Sequence, residues 1–508
     1  MNAMKKMINY LTFAVVLFST VSCGDWLNVL PQSQIDAERI FQSKDGFYSS
    51  LAGVYMKMAE RDAYGKALTV SQLEVMGNTL SMYAATYIEP YKDQGMFNGL
   101  ATYYYARGTR FAKIDNAFTK MWKAAYNVIA NDNLLIAHLE SADPALFEEG
   151  TREILLGEAL ALRAYVHFDL LRIFQPPYTS EEGKTQKRIP YREVHGMEYV
   201  PSASSEEMLA KIIGDLEKAA ALMKDSDPVS SGKTYSDNIF KTDRKYKMNY
   251  YAVKGLQARV YLYHGDYEKA YEAAMEVIGV ADQLGIRFIA DADLTMKDSQ
   301  NDYVNRSCPM ENIFALTVDE LGDYVDMDHM GTNLADGYTG FMEQFRLLST
   351  RYPNYYSSSG DIRMTIWKKK SGSTMYFAKY ERPALEADLA KYPKSAVSML
   401  KLGEMYLIAA EGAAEAVSPG EAVRLLNILQ SSRKGGVYSG TDKTGVINEV
   451  LKEYRREMIG DGQVFYAYKR RNVPQIEKGY MASGTIEMSV EKYTPDIPEA
   501  EFNGGRTY

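Results

Sequence analysis

Apolar residues recur at three- and four-residue steps along much of the chain, and each such stretch predicts an amphipathic helix. Phe47, Leu51, Val54, Tyr55 and Met58 make the first stripe, with Ser43 placed to cap its start. Ile114, Phe118, Met121, Trp122, Ala125, Val128 and Ile129 predict a second helix over about 111–139. A third, over 151–175, must stop at Pro176-Pro177, because proline has no N–H to continue it. A shorter one follows over about 205–223.

The clearest local unit spans 246–280. There Ala252 to Leu262 leads through His264-Gly265-Asp266-Tyr267 into Glu268 to Ala274. Two antiparallel helices joined by so tight a turn approach closely only where small residues face each other. Ala258 and Ala270 fill those places, with Tyr267 on the turn, as in a tetratricopeptide repeat. A similar hairpin is expected over 396–432, where Leu402, Tyr406, Ala409 and Ala410 precede Ser418-Pro419-Gly420 and Ala422, Val423, Leu426 and Leu429 follow. Together these predict an all-α fold of about four tetratricopeptide-like pairs, over 111–280 and 396–432. Two stretches break the pattern: 60–110 and 281–395 are rich in Tyr, Gly, Asp and Ser, with only short strand-like runs such as Ile313 to Val318. Loops this long in a helical stack are usually functional, so the binding surface is expected there.

The N-terminus reads as an address. Lys5 and Lys6 precede an apolar run from Leu11 to Phe18, then Ser19, Thr20, Ser22 and Cys23. An apolar core of about a dozen residues is short of the roughly 20 that span a bilayer. Residues 1–22 are therefore expected to be a lipoprotein signal, Cys23 the acylated first residue, and 23–508 a single mature domain held to the membrane by lipid alone.

Composition narrows the chemistry. The 508 residues carry a formal charge of -8 and no basic tract, which argues against nucleic acid as a partner. With two cysteines, Cys23 and Cys308, there is no disulfide framework, and Cys308 reads as a small apolar filler. Tyrosine is abundant, at 40 against 18 phenylalanines and 3 tryptophans, and its flat face and polar rim suit helix interfaces as well as polar ligands. The five histidines show no helical metal-ligand spacing; His167 is expected to pack within its helix and His264 to cap a hairpin turn. Asp323, Asp326 and Asp328 resemble a calcium loop only until Gly337, where a glutamate is needed. Ser231-Gly232-Lys233-Thr234 lacks the earlier glycine and preceding strand of a phosphate loop, and no nucleophile elbow is present. No catalytic residue, metal or cofactor is expected, although acidic pairs for glycoside hydrolysis depend on the fold.

Several blocks, in order, resemble the SusD/RagB family from end to end. They are Cys23-Gly24-Asp25-Trp26-Leu27 with Pro31; Phe41, Asp45-Gly46-Phe47 and Leu51 to Tyr55; Glu158 to Phe174; Pro309 to Phe314; Leu402 to Glu411; Arg455 to Gly462; and Tyr493 to Pro498 with Glu501. The resemblance implies helical hairpins packed against a large irregular part, and lipid anchoring at the cell surface of the outer membrane. It also implies a SusC-like TonB-dependent transporter as partner and capture of glycan, or in some relatives peptide. After Gly462 the family commonly has an arginine and, three residues later, an aspartate; here Gln463 and Tyr466 stand instead, so that polar contact does not carry over. Ligand sites in the family lie in variable loops. The residues expected to form an aromatic platform are Tyr83, Tyr103, Tyr104, Tyr324, Tyr338 and Trp367, with Asn78, Asp326 and Asn333 to bond hydroxyls. The rival readings are a surface glycoside hydrolase or peptidase, which would degrade its ligand, and a repeat scaffold, which would bind none.

Overall fold

The helical spacing is realised closely in the computed structural model. It describes residues 39–82, 96–105, 112–236, 244–325, 345–347, 351–371, 374–383, 385–479, 481 and 483–503. The chain divides into two compact units, residues 1–48 and 49–508. In the first, Ser43 Oγ accepts from the Gly46 amide at 3.3 Å, as a cap does, and the rings of Phe41 and Phe47 lie 4.9 Å apart. Helix α1 starts here and runs Lys44–Met58.

In the second unit the long helices are α2 (Ala112–Ser141), α3 (Thr151–Phe174), α4 (Ser205–Met223), α5 (Tyr250–His264) and α6 (Tyr267–Val280). They continue as α7 (Leu402–Ala416), α8 (Pro419–Ser432), α9 (Lys443–Glu457) and the shorter α10 (Val464–Arg470). Each of α2 to α7 packs on the next in that order, α7 also packs on α8, and α9 closes against α7. Caps fix the boundaries: Ser204 and Glu207 form a capping box on α4, and Asn249 caps α5 through the Ala252 amide. Gly265, at φ +93°, ends α5, a conformation glycine adopts without penalty. Helix α3 is buried on every side, as expected of a helix with apolar residues all round. It stops before Pro176, and its last carbonyls are taken by buried cations, Ile173 by Lys469 Nζ at 2.8 Å and Phe174 by Arg188 Nε at 2.6 Å.

Small residues and buried ion pairs join the helices. Gly412 on α7 lies so close to α6 that an added Cβ would stand 2.8 Å from the Tyr267 carbonyl oxygen. Arg163 on α3 grips Asp215 on α4 with two bonds of 2.7 and 2.8 Å. Arg259 on α5 grips Glu404 on α7 with two of 2.6 Å. Arg470 on α10 holds Glu411 on α7 in the same manner. Such paired, planar contacts suit arginine and satisfy charges that would be costly to bury alone.

One expectation is corrected. Residues 396–401, read as the start of a helical hairpin, form strand β6 (Ala396–Lys401), paired antiparallel with β2 (Asn312–Thr317), and the helix begins only at Leu402. Val397, Met399 and Leu400 are buried and Lys401 is drawn into an ion network, so the strand shows no alternation to betray it. Four further strands, β1 (Ser81–Met82), β3 (Phe345–Arg346), β4 (Lys368–Ser371) and β5 (Thr374–Phe377), form a sheet in the order β1-β3-β5-β4, and Gln475–Glu477 pairs with Thr485–Glu487 in a separate hairpin. Among the described residues no helix is long and apolar enough to cross a membrane.

Candidate functional site

The sheet brings together the two irregular regions that the sequence singles out. Met82 pairs with Phe345, so the chain leaves β1 toward residue 83 beside the point at which it enters β3 from residue 344. Lys368 pairs with Phe377 at the end of β5, and the Ala378 amide bonds the Trp367 carbonyl at 2.9 Å. Cys23, Tyr83, Asp326, Asn333 and Tyr338 lie outside the described residues.

Of the other expected ligand contacts, Asn78, Tyr103, Tyr324 and Trp367 are placed in the interior, which corrects the platform read from sequence at these positions. Asn78 and Tyr103 are each 1% exposed, both with positive φ. Asn78 Nδ2 donates to the Ala101 carbonyl at 3.0 Å and to Tyr103 Oη at 3.1 Å, Tyr103 Oη donates to the Met76 carbonyl, and the Gly479 amide donates to Asn78 Oδ1 at 3.1 Å. This knot ties 72–82 to 96–105 and leaves no ring face to stack on. Trp367 is 1% exposed, with Nε1 donating to the Arg306 carbonyl at 2.7 Å and Lys379 Nζ 4.6 Å from the ring centre. Tyr324 is buried and donates to the Glu320 carboxylate. Tyr104 alone of this described set is half-buried rather than buried. A buried indole or phenol needs a polar partner, and these side chains have found theirs inside the protein.

Sequence reasoning missed a buried ionic network. Arg433, just past α8, binds Glu311 before β2 with two bonds of 2.6 Å and Glu457 on α9 at 2.6 and 3.0 Å. Arg363 binds Asp361 at 2.7 Å, Glu453 at 2.6 Å and Glu457 at 2.9 Å. Lys401 and Lys379 share Asp461 at 2.8 and 2.7 Å, and Tyr380 Oη donates to the same carboxylate at 2.6 Å. Arg456 closes the set on Glu453 at 2.8 Å. Five cations thus meet five carboxylates, and the irregular region is bolted to α9 at the level of the sheet. Although burial opposes ionisation, Arg433 and its neighbours hold Glu457 well below the usual carboxylate range, and Lys379 and Lys401 lower Asp461. Lys379 is lowered to about 8, chiefly by desolvation. Glu311 falls within the block Pro309 to Phe314, and Glu457 and Asp461 within Arg455 to Gly462, but no local pattern there marks these charges as buried.

At the replaced family position, Gln463 accepts from Arg172 at 3.0 Å and the Tyr466 ring lies 3.8 Å beneath the same guanidinium. His167 is buried and held neutral, its pKa lowered to about 3 by desolvation, with Nδ1 at 2.9 Å from the Arg163 carbonyl and Nε2 accepting from the Arg192 amide at 3.0 Å. Among the described residues no three His, Cys, Asp or Glu side chains converge as metal ligands do.

Comparison with known proteins agrees with this architecture. Residues 25–262 match the SusD-like family described as starch-binding and associating with the outer membrane. A SusD-like protein of Formosa agariphila is 24% identical over 92% of both chains. A SusD-like carbohydrate binding protein of Bacteroides vulgatus superposes with a TM-score of 0.66 at 18% identity, covering 91% of this chain and 96% of that one. A laminarin binding SusD-like protein does so with a TM-score of 0.59 at 18% identity, over 91% and 97%. The matching blocks, the helical stack and the irregular part bolted to it thus agree with the likeness of residues 25–262 to the SusD-like family, and nearly the whole chain has the fold of SusD-like proteins.

Proposed function

We propose that the chain captures a glycan outside the cell and delivers it to a TonB-dependent transporter, held at the outer membrane by acylated Cys23. The observation that carries this reading is the pairing of Met82 with Phe345, which starts segment 83–95 beside the end of segment 326–344. The first holds Tyr83, Tyr87 and Tyr91, and the second Asp326, Asn333 and Tyr338. These stretches of sequence hold the stacking faces and hydrogen-bonding groups that a glycan needs, and a preorganised surface loses less entropy on binding. The names of relatives that bind starch, laminarin or carbohydrate support a glycan over other polymers.

Binding of this kind involves no bond cleavage. The polypeptide begun after Cys23 should retain one class of oligosaccharide on an array that also displays peptides, and should return it undegraded in an end-product assay. Release of shorter products would identify a hydrolase instead, and retention of basic peptides alone would favour peptide capture, which the charge of -8 suits. In cells, Cys23→Ser should free the protein from the membrane fraction and end its co-purification with a transporter.

A further inference from the structure

A small cavity of about 30 Å³ lies where α3, α5, α7, α9 and α10 meet. Its polar lining includes Arg172, Arg259, Arg470, Glu404, Tyr263 and Tyr466. Each of the three guanidiniums already has a carboxylate: Arg172 binds Asp169, Arg259 binds Glu404 and Arg470 binds Glu411. The charges cancel, so the hollow offers neither a cation nor an anion a net attraction. The two phenols differ. Both are 3% exposed, and neither hydroxyl makes a hydrogen bond of normal geometry to any described residue, although the Tyr178 amide lies near Tyr263. Burial raises the pKa of both, so each keeps its proton to donate.

A buried hydroxyl without a partner costs stability, and a neutral polar hollow with room for a water molecule is the setting in which one is retained. We propose that this cavity is a water-binding site, in which a buried water bonds Tyr263 and Tyr466 and completes the polar hub of the helical stack. The occupant follows from charge and size together: an ion would be uncompensated, and an organic group would not fit.

A high-resolution crystal structure of the mature protein, combined with melting curves of Tyr466→Phe and Tyr263→Phe, tests this. The expected result is a density peak within hydrogen-bond distance of both hydroxyls, weakened in either variant, with the melting temperature shifted down by about 1 °C or more. The conservative change keeps the Tyr466 ring under Arg172, so the shift reports the hydroxyl. An empty cavity with an upward shift for both variants would overturn the proposal, because an unsatisfied hydroxyl is better removed. An anomalous signal there from crystals grown in bromide would also overturn it, by placing a halide in the hollow.

Discussion

Replacing Arg433 by methionine removes the cation that joins the irregular region to α9. Glu311 would then keep only the Ile289 amide, at 3.1 Å, while Glu457 would keep Arg363 and Lys401. Arg433 and both carboxylates are about 1% exposed at the side chain, so solvent cannot compensate. Removing one partner of a buried pair typically costs about 3–5 kcal/mol, and a cost in that range is expected because among the described residues Arg433 is the cation in direct contact with Glu311, Lys401 acting on it only from further off. The loss also forfeits the guanidinium 5.0 Å from the Phe288 ring centre. The double variant Glu311→Gln, Arg433→Met should recover about 1–3 kcal/mol of the deficit as coupling between residues in contact. Urea unfolding followed by far-ultraviolet circular dichroism, with slopes compared as well as midpoints, gives both numbers. A cost below about 1 kcal/mol for the single variant, or a double variant as unstable as the sum of the singles, would refute the view of this network as a mechanical bolt.

Asp132 is fully buried, neither carboxylate oxygen has a hydrogen bond of normal geometry among the described residues, and desolvation raises its pKa well above the usual value despite Arg163 nearby. A carboxyl raised in the folded state costs stability as pH climbs above its unfolded value of about 3.9, so Asp132→Asn should stabilise the protein by about 1–3 kcal/mol at pH 7.5 and by little at pH 4. Destabilisation at pH 7.5 would disprove the assignment. The opposite sign holds for Glu453, Glu457 and Asp461, which are lowered: their contribution is full above the unfolded carboxylate range and is lost as pH falls through it, so the melting temperature should drop steeply below about pH 4. A flat acid limb would count against them. Gly412→Ala, despite alanine's better helix propensity, should cost about 1–3 kcal/mol by pushing α7 off the Tyr267 carbonyl; an unchanged melting temperature would mean that the helices yield.

Helices were legible because their burial repeats at 3.6 residues and their ends carry local chemistry. The stretch read as a helix over about 205–223 is found as Ser205–Met223, and the capping box of Ser204 and Glu207 fixes its start. The stop of α3 was written in Pro176. Strand β6 was not legible, because its partner is far away in the chain, its two faces are both covered and it runs straight into α7. The same distance hid the ion network: Glu311 and Arg433 are 122 positions apart, and nothing local distinguishes a charge that will be buried. Trp367, Asn78 and Tyr103 were misjudged for a related reason. Irregular regions were read as exposed, yet they are large enough to have an interior, and their big polar-tipped side chains fill it. The described part of the two irregular regions is joined by the pairing of β1 with β3, Met82 opposite Phe345, a long-range contact that the sequence does not announce.

The most direct test of the proposed ligand surface is the affinity of the mature protein for its retained glycan, by titration calorimetry, in the wild type and in Tyr83→Ala with Tyr338→Ala. Loss of binding by a factor of ten or more, about 1.4 kcal/mol, at an unchanged melting temperature is the predicted result. Wild-type affinity in the double variant would contradict a ligand surface at that end of the sheet.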